Sequence, residues 1–127
     1  MAVDLTTIHA LVVDDYHSMR ITLKEHLEAK GMRVTEAENG LEALEKIKET
    51  SFDIVFTDIV MPVMDGLEFC HEVKNSATLS SIPIVVLSTH TDASYLLKAI
   101  NMGADDYVPK PIEFKLLDKV VARLIDA

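Results

Sequence analysis

The chain of 127 residues has the length of a single domain, and its balance of 49% hydrophobic and 26% charged residues is typical of a globular fold. Twelve basic against 21 acidic residues give a net charge of −9, which argues against nucleic acid or an anionic membrane as the main partner. The sequence lacks a signal peptide and an apolar run long enough for a membrane span, and its single cysteine, Cys70, allows no internal disulfide, so we expect a cytoplasmic protein.

Five short segments of the sequence are predicted to be β-strands. The first four are rich in apolar and β-branched residues, which is typical of parallel strands covered on both faces. The second is the weakest of these predictions because it carries Arg33, Thr35 and Glu36. The predicted strands are, in chain order, residues 8–13 (IHALVV), 33–37 (RVTEA), 53–57 (DIVFT), 83–87 (PIVVL) and 106–108 (DYV).

Apolar residues at helical spacing lie between these strands and after the last one. In the first helical segment Met19, Leu23 and Leu27 recur every four residues, and Gly31 is expected to end the helix. The next three segments follow Asn39-Gly40, Asp65-Gly66 and Thr91-Asp92, with Asp65 a candidate N-cap. Strands that alternate with helices predict a parallel sheet with helices on both faces. The other apolar helix positions are Leu41, Leu44, Ile47, Leu67, Cys70, Val73, Leu96, Ala99, Ile100, Leu117, Val120, Val121 and Leu124.

Polar side chains follow four of the predicted strands. Asp14 and Asp15 follow the first, Asp58 the third, Ser88 the fourth and Lys110 the fifth. Each has an ordinary explanation on its own, since the aspartates and the serine are common in caps and turns and most lysines lie at the surface. In a parallel sheet, however, these strand ends meet at one edge, where ligands bind. The sequence therefore predicts a site at that edge.

The three carboxylates of this predicted site call for a cation. At about 4 Å and an effective dielectric near 20, a pair of carboxylates repels by about 4 kcal/mol, whereas a divalent ion attracts each of them by about 8 kcal/mol. Oxygen ligands alone favour a hard ion, so we expect Mg²⁺, with Mn²⁺ also possible. No Cys/His cluster has zinc spacing. We interpret the histidines as structural or surface residues; they are His9, His17, His26, His71 and His90.

The sequence resembles the receiver domain of two-component response regulators, close to the single-domain chemotaxis type. The resemblance rests on four blocks, LVVDDYHSMR, DIVFTDIVMPVMDG, VVLSTH and GADDYVPKP, and covers the whole chain, so residues 1–127 are expected to form one receiver domain. It implies an α/β fold with a doubly wound five-stranded parallel sheet, the flavodoxin-like strand order 2-1-3-4-5, and helices on both faces.

The resemblance also implies a phosphorylation-controlled signalling switch. Asp58 would be the phosphoacceptor and would take its phosphoryl group from the phosphohistidine of a sensor histidine kinase or of a His-containing phosphotransfer protein. Asp15, Asp58 and the Val60 backbone carbonyl would ligate Mg²⁺ directly, and Asp14 would act largely through water. The chain would not be an enzyme beyond assisting its own phosphorylation and dephosphorylation.

Further roles follow from the same resemblance. Lys110 would contact the phosphoryl group, Ser88 and Tyr107 would be the hydroxyl and aromatic switch residues, and the Lys110–Pro111 peptide bond would be cis. Nothing in the residues themselves predicts that isomer, because only about 5–6% of X–Pro bonds are cis, and a tyrosine in an edge strand is more often a packing residue.

Four residues depart from the family pattern or occupy positions that tune it. Thr89 stands where the family usually has Ala or Gly, and Val60 and His90 occupy positions that tune dephosphorylation in the family. We expect apolar Val60 and bulky Thr89 to hinder an attacking water and to prolong the phosphorylated state. Ser88 replaces the commoner threonine and keeps the hydroxyl.

The resemblance implies that the output is a protein surface formed by the fourth helix, the fifth strand and the fifth helix. A downstream effector protein would bind there, with no direct contact to nucleic acid, and the chain would be a monomer or a phosphorylation-dependent dimer. The candidate surface residues are Tyr95, Lys98, Met102, Tyr107, Leu116, Lys119 and Arg123.

Two other functions remain as alternatives. An aspartyl-phosphate hydrolase of the haloacid dehalogenase type would need an acidic residue two positions after the nucleophile, where this chain has Val60. A nucleotide- or flavin-binding module would need a phosphate-cradling loop after the first strand, but DDYHSM contains no glycine and two carboxylates.

Overall fold

Five parallel strands form one sheet in a computed structural model that describes residues 4–90 and 93–126. The strands are β1 (His9–Val13), β2 (Arg33–Ala37), β3 (Ile54–Asp58), β4 (Ile84–Ser88) and β5 (Asp106–Pro109). The α-helices of the described residues are α1 (His17–Ala29), α2 (Gly40–Glu49), α3 (Gly66–Lys74), α4 (Ala93–Asn101) and α5 (Phe114–Asp126), preceded by a short 3₁₀ turn at Leu5–Thr7. The strand order is β2-β1-β3-β4-β5, which confirms the predicted fold class.

The observed strands differ from the predicted segments by one residue at several ends. β3 and β4 each begin one residue later than predicted and extend one residue further, so that Asp58 and Ser88 are the last residues of their strands. Pro83 has no N–H to donate and contributes only its carbonyl, which accepts the Val55 N–H at 2.9 Å. Asp58 pairs with Leu87, and Ser88 pairs with Pro109. The sheet therefore holds these side chains at the ends of adjacent strands.

Hydrophobic side chains cover both faces of the sheet. On one face α1 and α5 contribute Leu27 and Leu117, and on the other α2 and α3 contribute Ile47 and Phe69. Cys70 packs on the face covered by α2 and α3 and is fully buried. This burial raises the pKa of its thiol to about 11. This burial agrees with its place among the apolar positions of the predicted helix.

The loop between β3 and α3 is held by backbone contacts on several sides. Val63 has a positive φ of 70°, which is strained for a β-branched residue, and Met64 N–H donates to Pro62 O at 2.8 Å across it. The Asp65 side chain accepts the Glu68 N–H at 2.8 Å, which confirms Asp65 as the N-cap of α3. The loop is thereby fixed directly after Asp58.

Helix α4 is the most exposed helix of the described part of the chain. Ala99 is its buried residue, whereas Leu96, Leu97 and Ile100 are 41%, 58% and 57% exposed. The predicted start at Thr91-Asp92 lies outside the described residues. Within residues 4–90 and 93–126, no helix combines the length and apolar character that crossing a membrane requires.

Candidate functional site

Three carboxylates meet at the carboxyl edge of the sheet. Asp14 and Asp15 follow β1, and Asp58 ends the adjacent strand β3. Each offers an oxygen atom, and these oxygens all lie within 4.8 Å of one another. Asp14 is buried, Asp58 is partly buried and Asp15 is exposed, so the cluster opens toward solvent on one side. The structure brings these predicted site residues together.

Asp14 is held at every polar group. Its N–H donates to Ala37 O of β2 at 3.1 Å, and its carboxylate accepts the Tyr16 N–H at 2.9 Å and the Lys110 ammonium at 2.9 Å. The contact with Tyr16 resembles a cap, since Tyr16 is the N-cap residue of α1, but the carboxylate also belongs to the cluster. The capping explanation therefore accounts for only part of its role.

Lys110 bridges two of the carboxylates and is not a solvated surface lysine. Its Nζ lies 2.9 Å from Asp14 Oδ2 and 3.3 Å from Asp58 Oδ2, and its side chain is 9% exposed. Burial lowers the pKa of Lys110, but the hydrogen bond to Asp14 and the charges of Asp58 and Asp14 outweigh it and leave the pKa above its usual value. Lys110 therefore supplies a permanent positive charge to the cluster.

The surroundings of Asp58 disfavour its negative charge. Burial raises the pKa of its carboxyl, and the charge of Asp14 adds to this effect; Lys110 and the Ile59 N–H oppose it without cancelling it. The Ile59 N–H donates to Asp58 Oδ1 at 2.8 Å, while Oδ2 is the oxygen nearer Lys110. One lysine does not neutralise three carboxylates, and the remaining negative charge favours binding of a cation.

The two proposed switch residues lie on β4 and β5. Ser88 is buried, its Oγ accepts the His90 N–H at 3.0 Å, and its carbonyl accepts the Lys110 N–H at 2.8 Å. Tyr107 is half-buried, and its hydroxyl oxygen is buried with no hydrogen-bond partner among the described residues. The Lys110–Pro111 peptide bond is cis, the isomer that the resemblance implied.

A groove of about 550 Å³ leads to the cluster. Tyr16 and Thr89 stand on its rim, and Tyr16 is 66% exposed. Val60 is 59% exposed, and the His90 ring stacks on Tyr95 at 4.2 Å between centroids, outside the groove lining. The groove is lined by Asp15, Tyr16, Met19, Asp58, Thr89, Lys110 and Pro111.

The donor set of the cluster fits a hard divalent cation. Asp14, Asp15 and Asp58 offer only oxygen atoms, and one partly open side leaves room for water ligands. Mg²⁺ keeps several waters when a few carboxylates bind it, so three carboxylates are a sufficient protein contribution. These residues fit Mg²⁺, and among the described residues they form the cluster suited to it.

Two residues beside the cluster were not singled out by sequence reasoning as parts of the site. Arg20 of α1 is 7% exposed and donates from Nη1 to the Asp14 carbonyl at 2.8 Å. Gly66 approaches Asp58 so closely that a Cβ would lie 1.8 Å from the Asp58 carbonyl oxygen. An arginine within a helix carries no sequence signal of such a contact. For Asp65-Gly66, the family resemblance implies that the pair shapes the loop after the acceptor, but it gives no sign of this close approach to the Asp58 backbone.

Comparison with known proteins identifies related sequences along most of the chain. A family profile described as the response regulator receiver domain matches residues 10–122. Response regulator MprA from Mycobacterium sp. (strain KMS) is 36% identical over 117 residues, which is 92% of this chain and 49% of that protein. The chain thus spans about half the length of the curated mycobacterial relatives that it matches.

Solved structures agree in fold over almost the whole chain. A putative response regulator from Chloroflexus aurantiacus is 29% identical and superposes with a TM-score of 0.91 over 94% of this chain and 98% of that one. The Vibrio cholerae chemotaxis protein CheY4 is 32% identical, with a TM-score of 0.86 over 92% of this chain and 98% of that one.

Proposed function

The chain belongs to the response regulator receiver domain family, and from this we propose that residues 1–127 form one receiver domain with Asp58 as its phosphoacceptor. Receiver domains are the phosphoacceptor switches of two-component systems. The observation that carries the proposal is the convergence of Asp14, Asp15 and Asp58 within 4.8 Å, with the Lys110 ammonium reaching two of them.

In the proposed reaction the Asp58 carboxylate is the nucleophile. One of its oxygens forms a bond to phosphorus while the bond from phosphorus to the donor imidazole nitrogen breaks, and the imidazole leaves with the electron pair. A bound Mg²⁺ would supply neutralising charge to the phosphoryl oxygens. Asp15, Asp58 and the Val60 carbonyl would hold the ion directly, and Asp14 would do so through water.

Two other polar residues of the site would bind oxygens of the phosphoryl group once it is on Asp58. Lys110 lies close enough to Asp58 to move its ammonium from that carboxylate to a phosphoryl oxygen. The Ser88 hydroxyl accepts the His90 N–H and has a proton of its own to donate to another oxygen. The chain would thus assist its own phosphorylation without transforming a separate substrate.

A mass measurement tests the proposal directly. Purified chain incubated with acetyl phosphate and Mg²⁺ should gain the mass of one phosphoryl group, and addition of EDTA before the phosphodonor should prevent the gain. Hydroxylamine should then remove the label, because an acyl phosphate is cleaved by that nucleophile. A gain that is independent of the divalent cation, or resistant to hydroxylamine, would contradict the proposed site.

Thr89→Ala is expected to shorten the lifetime of the phosphorylated state. Thr89 lines the groove that leads to Asp58, so its side chain obstructs an attacking water. Removing an obstruction worth about 1.4 kcal/mol would speed loss of the label by about tenfold. The decay of labelled chain after removal of phosphodonor measures the rate, with Thr22→Ala on the exposed side of α1 as the matched control. An unchanged or slower decay in Thr89→Ala would count against the hindrance.

Phosphorylation would be read out through Ser88 and Tyr107 at the surface of α4, β5 and α5. Response regulators interact with histidine kinases and with effectors; for this chain we propose a sensor kinase or a His-containing phosphotransfer protein as donor, and an effector protein as target. The exposed Leu97 and Ile100 give α4 apolar contact area. A cytoplasmic location and a monomer, or a dimer formed on phosphorylation, belong to the same proposal.

A further inference from the structure

Arg20 is a buried arginine whose guanidinium reaches the backbone beside the acidic cluster. Nη1 donates to the Asp14 carbonyl at 2.8 Å, and Nε donates to Glu36 Oε1 of β2 at 2.9 Å. Nη2 lies 3.0 Å from His17 Nδ1 and 3.8 Å from Glu38 Oε1. The side chain thus ties α1 and β2 to the peptide group between Asp14 and Asp15.

The positive charge of Arg20 is balanced locally. Glu36 binds Arg20 at 2.9 Å and Lys24 at 3.4 Å, and Glu38 lies close to the same guanidinium. Burial raises the pKa of Glu36, but the hydrogen bonds from Arg20 and Lys24 outweigh it and leave the pKa below its usual value. Glu36 therefore remains ionised near neutral pH, and two acidic residues offset the two basic ones.

The orientation of the Asp14 carbonyl affects where the carboxylates of Asp14 and Asp15 lie. It belongs to the peptide group that joins Asp14 to Asp15, so its direction helps to set where both side chains leave the backbone. The Asp14 N–H is held by Ala37 O at 3.1 Å and the carbonyl by Arg20 at 2.8 Å. Without Arg20, the second of these two backbone restraints would be lost.

We propose that Arg20 is a positioning residue for the cation site: its hydrogen bond to the Asp14 carbonyl holds the Asp14-Asp15 segment in the orientation that binds Mg²⁺. The inference rests on the proposed function, because it concerns the same cation. Outer partners that orient metal ligands typically contribute about 10- to 100-fold to affinity, and we expect the low end because Arg20 acts through the backbone.

Three possible roles for Arg20 predict different changes in Mg²⁺ affinity when the residue is replaced. If Arg20 acted only as a nearby positive charge, its removal would tighten binding of the cation. If it only stabilised the fold, the melting temperature would fall while the affinity of the folded chain stayed the same. If it positions the segment, the affinity of the folded chain falls.

The test is a calorimetric titration of the unphosphorylated chain with MgCl₂, together with its thermal melting. Arg20→Met should weaken Mg²⁺ binding by about tenfold while the chain remains folded. Lys24→Met is the matched control, because this substitution also removes a positive charge that binds Glu36, whereas Lys24 does not bind Asp14. The Mg²⁺ affinity of this variant should stay within about twofold of wild type.

The double variant Arg20→Met/Glu36→Gln guards against misfolding, because it also removes the charge of the half-buried Glu36, which loses its guanidinium partner in Arg20→Met. It should show the same loss of affinity as Arg20→Met. Unchanged or tighter binding in both variants, with wild-type binding intact, would overturn the positioning role and leave the proposed function standing. Wild-type chain that does not bind Mg²⁺ would overturn the proposed function, and the role of Arg20 with it.

Discussion

Asp58→Asn is expected to abolish labelling of the chain by acetyl phosphate in the presence of Mg²⁺. The amide cannot form an acyl phosphate and removes one of the three carboxylates that face the cation. In a serine protease, replacing the nucleophilic serine lowers the catalytic rate by a factor on the order of a million. By analogy, labelling of Asp58→Asn should fall below what intact-mass measurement detects. Asp14 should not substitute for Asp58, because Asp14 is buried and its carboxylate is held by Lys110 and the Tyr16 N–H.

The same substitution should leave the fold intact or stabilise it. Burial and the charge of Asp14 raise the pKa of Asp58, which means that the folded chain disfavours this negative charge. Asparagine keeps an oxygen for the Ile59 N–H and removes the charge. We therefore expect a melting temperature at or above that of wild type, measured on the same sample as the mass.

Asp65→Asn is the matched control for Asp58→Asn. Asp65 lies in the loop that follows Asp58 and caps α3, and asparagine is an equally good N-cap, so the fold should be unaffected. Its labelling should match wild type. Full labelling of Asp58→Asn, or loss of labelling in Asp65→Asn, would show that the acceptor is not Asp58 alone.

Gly66→Ala is expected to destabilise the chain by about 3 kcal/mol or more. The added Cβ would lie 1.8 Å from the Asp58 carbonyl oxygen and 2.9 Å from its carbonyl carbon. These are backbone atoms of a central strand flanked by β1 and β4, so no side-chain rotation relieves the overlap. Urea denaturation of both proteins gives the difference in free energy of unfolding.

Glu68→Ala is the control for this substitution, because Glu68 is exposed on the first turn of the same helix and its backbone N–H keeps the Asp65 cap. Its free energy of unfolding should stay within about 0.5 kcal/mol of wild type. A Gly66→Ala variant as stable as this control would mean that α3 can move away from β3 without cost.

The sequence predicted the strands and the edge at which the polar residues meet because both depend on local patterns. Continuous apolar residues in β1, β3 and β4 predict burial on both faces, and the position of Asp14 and Asp58 directly after such segments places them at one edge. The order of the strands came from the family resemblance, because the sequence of each strand does not specify which other strands pair with it in the sheet.

Other parts of the site could not be predicted because they depend on contacts between distant residues. The sequence places Lys110 and Asp14 at one edge of the sheet, but the bond between these residues, 96 positions apart, depends on the directions of their side chains. Arg20 reaches Asp14 through a carbonyl, a group that every residue carries. The positive φ of Val63 could not be predicted either, because valine rarely adopts that backbone conformation.

The burial of Cys70 makes the chain convenient for single-molecule and spectroscopic work. With a pKa of about 11 and no exposed surface, this thiol is ionised in only about one molecule in ten thousand at pH 7 and is closed to reagents. A cysteine introduced at an exposed position of α4, such as Leu97→Cys, would therefore react alone with a maleimide dye or spin label, so motions of that helix could be followed without first deleting the native thiol.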